Sequence, residues 1–387
     1  MSSPTRLSVC CLTDDTTSRT AAILALLRPV ADEIVVAVDA RVPTNKLGAY
    51  AVLSDVLLRY EYAPPIERAF AWLHGECSGD WILRIDSDEV PSAALIDALP
   101  GLVQMRDVHQ FPLPRRWLFG DACHWLDEAP WSPDYSFRLV RNDPATLWFP
   151  GVQHSSAYPV RPARYLEFPL YHLDCLLRSY EERHAKVTRY DENPVVKAEG
   201  AISDAVFYLP EDHATLSAAV VPPEDVSLIE PVLIEAIRSQ PEDHPELSVL
   251  VADRGEIDAH WEERSVDKGA YKATLRLLER DCRMHVGERR VFHFRVHNQG
   301  SETWPFGPHR HPEITVCYRW LRPNGTVVVP EGLHSPLTAY LRPNTSDVVP
   351  ATLDAPDAPG RYLLQADLVH NRTSWFGVTT REAFTVH

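Results

Sequence analysis

The chain has 387 residues, 45% hydrophobic and 24% charged, with a formal net charge of −16 at pH 7. This length admits two domains or three. The acidic balance argues against general nucleic-acid binding, which draws affinity from basic groups on phosphate. No run of about 18 apolar residues predicts a membrane-spanning helix.

The first hundred residues alternate strand and helix signals. Leu7 to Leu12 is a short apolar run suited to a buried strand. Arg19 to Leu27 is rich in Ala and Leu and is stopped by Pro29, as a helix is. Glu33 to Val38 is β-branched and suits a parallel strand. Pro64 and Pro65 open a helix whose apolar positions Ile66, Phe70, Leu73 and Cys77 share a face. A Gly79-Asp80 turn then leads to a strand over Trp81 to Ile85. Strands alternating with helices predict βαβ crossovers and a mostly parallel sheet, with ligands beyond the carboxyl ends of its strands.

Residues 105–175 are dense in Trp, Pro and His and carry weaker periodicity. Ser179 to Tyr190 reads as a helix, with Ser179 and Glu182 at capping-box spacing. Residues 211–274 are acidic and Pro-punctuated, with a helix near Ser227 to Ser239; they predict a partly helical connecting region between a 1–210 domain and a 275–387 domain. From about 280 the period becomes two. Phe292, Phe294 and Val296 alternate with polar neighbours, as do Ile314, Val316, Tyr318 and Trp320, and Tyr362, Leu364, Ala366 and Leu368. With a Pro323-Asn324-Gly325 turn, this predicts an all-β sandwich. Trp304, Trp375 and Phe376 there serve either a protein- or glycan-binding surface or the sandwich core.

The seven cysteines form no Cys-x-x-Cys pair, which predicts free thiols in a reducing cytoplasm rather than a disulfide framework or zinc site. The polar start, Met1 to Arg6, lacks the form of a secretory signal, so the sequons at Asn324, Asn344 and Asn371 carry no meaning. His309 and His311 have spacing that suits a metal, or lie in a Pro-rich loop.

The most informative segment is GDWILRIDSDEVPS, Gly79 to Ser92. An apolar strand delivers Asp86, Ser87, Asp88 and Glu89 at its carboxyl end, and Ser92 caps the next helix. Crowded carboxylates repel one another, and a hard cation such as Mg²⁺ or Mn²⁺ relieves that repulsion and can bridge to a diphosphate. The alternative is a solvated turn before a capped helix.

The stretch RAFAWLHGECSGDWILRIDSDE resembles the Asp-x-Asp region of family 2 glycosyltransferases. The resemblance covers about residues 7–190. It implies a GT-A, Rossmann-like α/β domain binding a nucleoside-diphosphate sugar of UDP or GDP type. It also implies transfer of a hexose to a hydroxyl acceptor (a glycan, a lipid-linked sugar or a small molecule) with inversion. By it, Asp86 and Asp88 handle Mn²⁺ or Mg²⁺ and the donor diphosphate, with Ser87 between them. Arg68 and Arg138 lie near the donor, and Asp39 meets the nucleoside. Thr13-Asp14-Asp15 stands where the family carries Asn-Glu, and the second acidic residue after Asp39 is absent. SPDYSFRLVRND, Ser132 to Asp143, resembles the acceptor-side motif. It makes Asp134 the candidate general base, with Asp127 and Glu128 as competitors and an Asx-turn as the structural alternative. His172, ending YLEFPLYH, stands where related enzymes complete the metal site, and His154 where a residue faces the acceptor. Trp117 and Trp131, with Trp125, form either an acceptor platform or core.

The C-terminal third resembles immunoglobulin-like accessory domains, on VHNQGSETWP and APGRYLLQADLVHNRTSWF. Two rivals stand beside the transferase. A sugar nucleotidyltransferase would carry a Gly-rich phosphate loop after the first strand, where CLTDDTTSRT has no glycine. A non-catalytic glycan-binding or scaffold protein would keep the fold and lose the acids.

Overall fold

The structure, a computed structural model, describes residues 5–151, 154–159, 163–192, 203–240, 247–265, 269, 271–306, 313–370 and 374–387. His309, His311 and Asn371 lie outside the described residues. The chain divides into two compact units. One holds residues 1–198 and 203–268; the other holds 199–202 and 269–387.

The first unit is a mixed α/β unit. Its strands are β1 (Leu7–Thr13), β2 (Glu33–Asp39), β3 (Val56–Tyr60), β4 (Trp81–Arg84), β5 (Glu89–Pro91), β6 (Gln110–Trp117), β7 (His124–Leu126), β8 (Tyr135–Arg141), β9 (Leu147–Trp148), β10 (Tyr158–Pro159), β11 (Leu170–His172), β12 (Ala218–Val220) and β13 (Val251–Ala252). Its helices are α1 (Arg19–Leu27), α2 (Gly48–Leu53), α3 (Ala69–Gly75), α4 (Ala93–Leu102), α5 (Asp174–Leu177), α6 (Tyr180–Glu192), α7 (Ala205–Tyr208), α8 (Pro223–Ala236) and α9 (Arg254–Arg264). The main sheet runs β13-β3-β2-β1-β4-β8-β6-β11-β5. The strands from β13 to β4 are parallel. Beyond them β8 lies antiparallel to both β4 and β6, and β11 is parallel to β6 but antiparallel to β5. The expected mostly parallel sheet is therefore a mixed one.

The strands β1 and β2 are buried on both sides, as strands sandwiched between helix layers must be. Val9, Cys11, Ile34 and Val36 share a core with side chains from α1, α2, α4 and α8. Their neighbours Cys10, Leu12, Val35 and Ala37 face a second core with α3 and α9. Ser92 caps α4 by accepting from the Leu95 amide at 3.1 Å. At α6 the capping box is formed both ways, Ser179 N to Glu182 Oε2 at 2.8 Å and Glu182 N to Ser179 Oγ at 3.3 Å. The helix after Pro65 is divided, with a 3₁₀ turn over Ile66–Arg68 before α3, and Cys77 lies past its end.

Residues 211–268, read from sequence as part of a connector, are built into this unit. In it, α8 seals one core with Ile229 and Val232, and α9 seals the other with Ile257. Strand β13 extends the sheet beside β3, and β12 pairs with β7. Acidic, Pro-punctuated composition hid these contributions, because the apolar anchors stand among charged residues and prolines.

The second unit is all β. One sheet is β14 (Ala273–Leu277), β16 (Arg289–Asn298) and β20 (Ser346–Asp354). The other contains β15 (Arg283–Met284), β17 (Ile314–Leu321), β18 (Val327–Val329), β19 (Ser335–Pro336), β21 (Gly360–His370), β22 (Ser374–Trp375) and β23 (Thr380–Val386). Phe292, Phe294 and Val296 of one sheet share a core with Val316, Tyr318, Trp320, Leu364, Leu368 and Phe384 of the other. Trp304 is in this core and Phe376 packs against it, while Trp375 lies under the Arg319 guanidinium.

A chain ending at residue 268 is expected to stay soluble and melt cooperatively. One ending at 210 uncovers both cores, losing roughly 1.5–3 kcal/mol for each large apolar side chain no longer buried. It is expected to aggregate. Thermal unfolding followed by circular dichroism checks this, and a cooperatively melting 1–210 fragment would contradict the architecture.

Candidate active site

Three strand registers build the site. His172 of β11 lies opposite Glu89 of β5 on one side and opposite Trp117 of β6 on the other. Leu83 of β4 pairs with Leu139 of β8, which brings Arg138 beside the strand end that carries Asp86. The amide of Arg115 donates to the Asp134 carbonyl at 2.7 Å, setting the start of β8 against β6. Sequence-distant groups thus converge at the carboxyl end of β4.

The acids are not left to repel one another. Asp86 accepts from Arg84 Nη1 at 2.5 Å and, through its other oxygen, from Arg138 Nη2. Arg138 also donates to Glu89 Oε1 at 2.6 Å, and Glu89 Oε2 accepts from the Asp86 amide at 3.1 Å. Glu89 is fully buried; burial first, then Asp86, raise its carboxyl well above the usual range. Asp86 is raised too, by desolvation and by Asp88, although 40% of its side chain remains accessible; it sits where protein surrounds an open approach.

Asp88 faces His172, with Oδ2 3.6 Å from Nε2, and Arg178 Nη1 is 3.7 Å from the same oxygen. Burial pushes His172 down to about 3, so the ring is neutral. Asp88 is held below the usual range against its own burial, by His172 first and then by Lys186, Arg178 and Arg19; with the ring neutral, the three cations are what remain to oppose burial. Arg178 and Lys186 share the buried Asp174, with Lys186 Nζ at 2.9 Å. Burial lowers Lys186 to about 8, with Asp88 opposing the shift.

Part of this donor set suits a divalent ion. Asp88 Oδ2 and His172 Nε2 fit, since neighbouring ligands of an octahedral ion at 2.0–2.1 Å lie about 3 Å apart. His172 Nδ1 is buried with no hydrogen-bond partner among the described residues. Asp86 does not fit as placed, because Arg84 and Arg138 take its two oxygens. The expected trio of Asp86, Asp88 and His172 is not assembled. Among the described residues, the group whose ligand atoms lie within 4.8 Å of one another is Cys317, Glu331 and His334 in the second unit.

Asp134 is 5% exposed. Its Oδ2 accepts from Arg115 Nε at 2.6 Å and from the Trp117 indole at 2.9 Å, while Oδ1 has no hydrogen-bond partner among the described residues. Trp117 meets the His172 ring edge-on at 4.2 Å, so Asp134 and His172 flank one indole. The competitors stand apart: Asp127 is exposed, and Glu128 accepts from the Ser217 amide at 2.5 Å.

Other expected residues take different places. Thr13 is buried and its hydroxyl accepts from the Asp15 amide at 3.0 Å, so it holds the loop rather than presenting itself to a nucleotide. Asp15 in turn accepts from the amides and hydroxyls of Thr17 and Thr20 at the start of α1. Asp14 is exposed. Asp39 is fully buried and gripped by Arg41, at 2.6 Å from Nη2. Arg68 lies over Trp261 of α9 at 4.3 Å, away from the acid cluster. Ser87 meets the cluster's surroundings through its carbonyl, which accepts from Arg19 Nε at 2.7 Å.

An acceptor platform of Trp117 and Trp131 is corrected by their burial: both pack with Leu126, Val187 and Tyr208. The Trp131 indole donates to the Phe207 carbonyl at 2.8 Å. His154 is exposed, with positive φ, between Glu67, which accepts from its amide at 2.7 Å, and Asp204 at 3.0 Å. The sequence did not single out Arg115, Asp174, Arg178 or Lys186. The one available signal was Asp174 two residues after His172.

No family model matches the chain, and no curated protein matches it. Among solved structures the chain is similar to a β-glucosidase from Listeria innocua, at 9% identity and a TM-score of 0.22, over 30% of this chain and 16% of that one. The chain thus spans about a sixth of that enzyme's length. It is also similar to the CARDB domain of the PF1109 protein from Pyrococcus furiosus in complex with di-metal ions, at 16% identity and a TM-score of 0.21, over 31% of this chain and 96% of that one. TarS from S. aureus is similar at 11% identity and a TM-score of 0.31, over 98% of this chain and 77% of that one. At these scores the likenesses carry no argument about function, which rests on the residues.

Replacing Arg138 with Met is expected to destabilise the chain by about 3 kcal/mol, because it leaves a buried carboxylate uncompensated. Glu89 is raised in the folded state, so its protonated form favours folding at low pH, and this contribution fades as pH rises through the folded value. The deficit should therefore shrink on acidification, and Glu89→Gln should restore part of it. Chemical denaturation at two pH values checks both.

Proposed function

We propose that the first unit is a metal-assisted glycosyltransferase with a GT-A-like fold, moving a hexose from a nucleoside-diphosphate sugar to a hydroxyl acceptor. The second unit, read as an immunoglobulin-like domain, is its accessory. The observation that carries the reading is the grouping of Asp88, His172 and Asp134 around Trp117 at the carboxyl end of β4, ringed by Arg115, Arg178 and Lys186.

In this reading Asp88 and His172 would hold Mn²⁺ or Mg²⁺, joined by Asp86 when it leaves its arginines. When bound, the ion supplies a Lewis acid for the departing diphosphate. Arg178 and Lys186 add positive charge on the same side, where anionic phosphate oxygens need compensation. Asp134 takes the proton of the acceptor hydroxyl at Oδ1, while Arg115 and the Trp117 indole fix its other oxygen. Attack by the acceptor oxygen on the anomeric carbon opposite the leaving phosphate inverts that centre. Asp14, exposed just beyond β1, is the acid left to meet a nucleoside's hydroxyls, since Asp39 is buried against Arg41. The loop after β1, closed by Asp15 on α1 without glycine, disfavours a nucleotidyltransferase. A dead transferase acting as a scaffold would not require a carboxylate oxygen left free at Asp134.

The decisive assay follows release of nucleoside diphosphate from a panel of UDP- and GDP-sugars, with and without Mn²⁺. Metal-dependent release from at least one donor is expected, and no release from any donor sinks the reading. Asp88→Asn should lower kcat/KM by more than the 10–100-fold typical of an outer-shell partner. Asp134→Asn should lower transfer by about 10²–10⁴-fold while leaving donor binding intact.

A pH profile tests the cation side. Lys186 loses its charge near pH 8, so kcat/KM should fall above about that pH. Lys186→Arg, which stays protonated, should move the falling limb upward; an unchanged limb would remove Lys186 from the mechanism.

A further inference from the structure

Period-two alternation in β17 predicts that Thr315, Cys317 and Arg319 face solvent, opposite the core residues Val316, Tyr318 and Trp320. All three are buried. For Cys317 the cover is the arch between β18 and β19. Val329 pairs with Trp320 and Ser335 with Val316, so residues 330–334 pass beside Cys317. The arch is pinned to the strand by Gly332, whose amide donates to the Tyr318 carbonyl at 2.7 Å. A Cβ at 332 would lie 2.2 Å from the Tyr318 ring, so only glycine allows this approach.

The arch carries Glu331 and His334 to the thiol. One ligand atom from each of Cys317, Glu331 and His334 lies within 4.8 Å of the others. His334 is 11% exposed and Glu331 28%, so the group is shielded but reachable from one side. Thr315 Oγ1 meets His334 Nδ1 at 2.8 Å and orients the ring. His334 Nε2 then points at Glu331 Oε1, 2.6 Å away. The thiol has only long contacts with carbonyl oxygens, Gly332 at 3.5 Å and Tyr318 at 3.8 Å. It is the least satisfied member of the group.

We infer that Cys317, Glu331 and His334 form a zinc-binding site in the second unit. One sulfur, one imidazole nitrogen and one carboxylate oxygen make a donor set suited to a borderline-soft ion. The hydroxyl of Thr315 on Nδ1 is the kind of outer contact that fixes the tautomer of a metal-bound histidine. On binding, the thiol releases one proton to solvent, and the neutral ring changes tautomer. Nε2, which donates to Glu331, gives up its proton to solvent, and Nδ1 takes one from solvent and donates it to Thr315, a net release of one proton. Two ligands about 2.0–2.1 Å from a tetrahedral ion lie about 3.3 Å apart. Glu331 therefore swings outward by less than an ångström from its hydrogen-bonded place, about the scale that ligand lengths set. Water takes the fourth position. The site shares no residue with the proposed transferase centre, and the sequence hid it because no cysteine pair marks it.

The test uses the full chain, stripped by chelator and titrated with Co²⁺ as a spectroscopic stand-in for zinc. A near-ultraviolet thiolate-to-cobalt band is expected, saturating at a single ion per chain and bleached by Zn²⁺. Cys317→Ser should abolish the band and Cys282→Ser should leave it. His334→Gln, a change at the covered surface rather than in the sandwich core, should weaken cobalt binding at least about tenfold. A wild-type chain without the band, or a band that survives in Cys317→Ser, overturns the inference. Cobalt held by Asp88 and His172 would give no thiolate band, so the two centres are read separately.

Discussion

The first unit depends on charge compensation at the buried end of β4 and β5. Glu89 is fully buried beside Asp86 and Asp88, and an isolated carboxylate in such a place is untenable. Arg138 solves this by bridging Asp86 and Glu89, and it can do so only from a strand lying directly against β4. The antiparallel insertion of β8 is thus tied to the acid cluster. The same strand start carries Asp134, which recruits Arg115 from β6. Topology and site are one arrangement seen at two scales.

A second consequence concerns freedom. Asp86 is clasped by two arginines, whereas Asp88 stands 3.6 Å from the neutral His172 ring and 3.7 Å from Arg178. Two acids one residue apart thereby acquire different duties. Asp86 fixes the end of the strand, and Asp88 is the acid able to exchange partners at low cost. Repulsion within the pair favours the same division, since desolvation and Asp88 raise Asp86 while cations hold Asp88 ionised.

Much of this was legible in the sequence. Apolar runs marked β1, β2 and β4, the proline stop marked α1, and both capping residues at Ser92 and Ser179 do what their spacing implies. The acidic cluster was found because strand ends concentrate polar groups after an apolar run, and His172 through the place the family resemblance gives to a histidine at a strand end. Arg115, Arg178 and Asp174 were not legible, because an arginine or aspartate reads as a surface charge until pairing shows which charge it neutralises. Trp117 and Trp131 misled for the opposite reason: an aromatic residue near a site looks the same in sequence whether its face is open or, as here, buried. The span 211–268 was underestimated because a helix such as that near Ser227 is legible in sequence while the core it covers is not.

The two units also differ in what their polar interiors can accept. The first gathers carboxylate oxygens and one imidazole among guanidinium groups, a setting for hard ions and phosphate oxygens. The second places a thiol with one imidazole and one carboxylate under a glycine-pinned arch, with the buried Arg319 beside the thiol and the carboxylate, a donor set for a softer ion. In both, a histidine lies beside a carboxylate: the buried His172 at 3.6 Å from Asp88, the partly exposed His334 at 2.6 Å from Glu331. The shorter distance is a direct hydrogen bond and the longer one is not. His172 therefore has a nitrogen available at no cost to an existing bond, while His334 must exchange a bond for a ligand. That difference, fixed by strand register in one case and by the arch in the other, makes the first centre the easier of the two to load and the second the more dependent on its thiol.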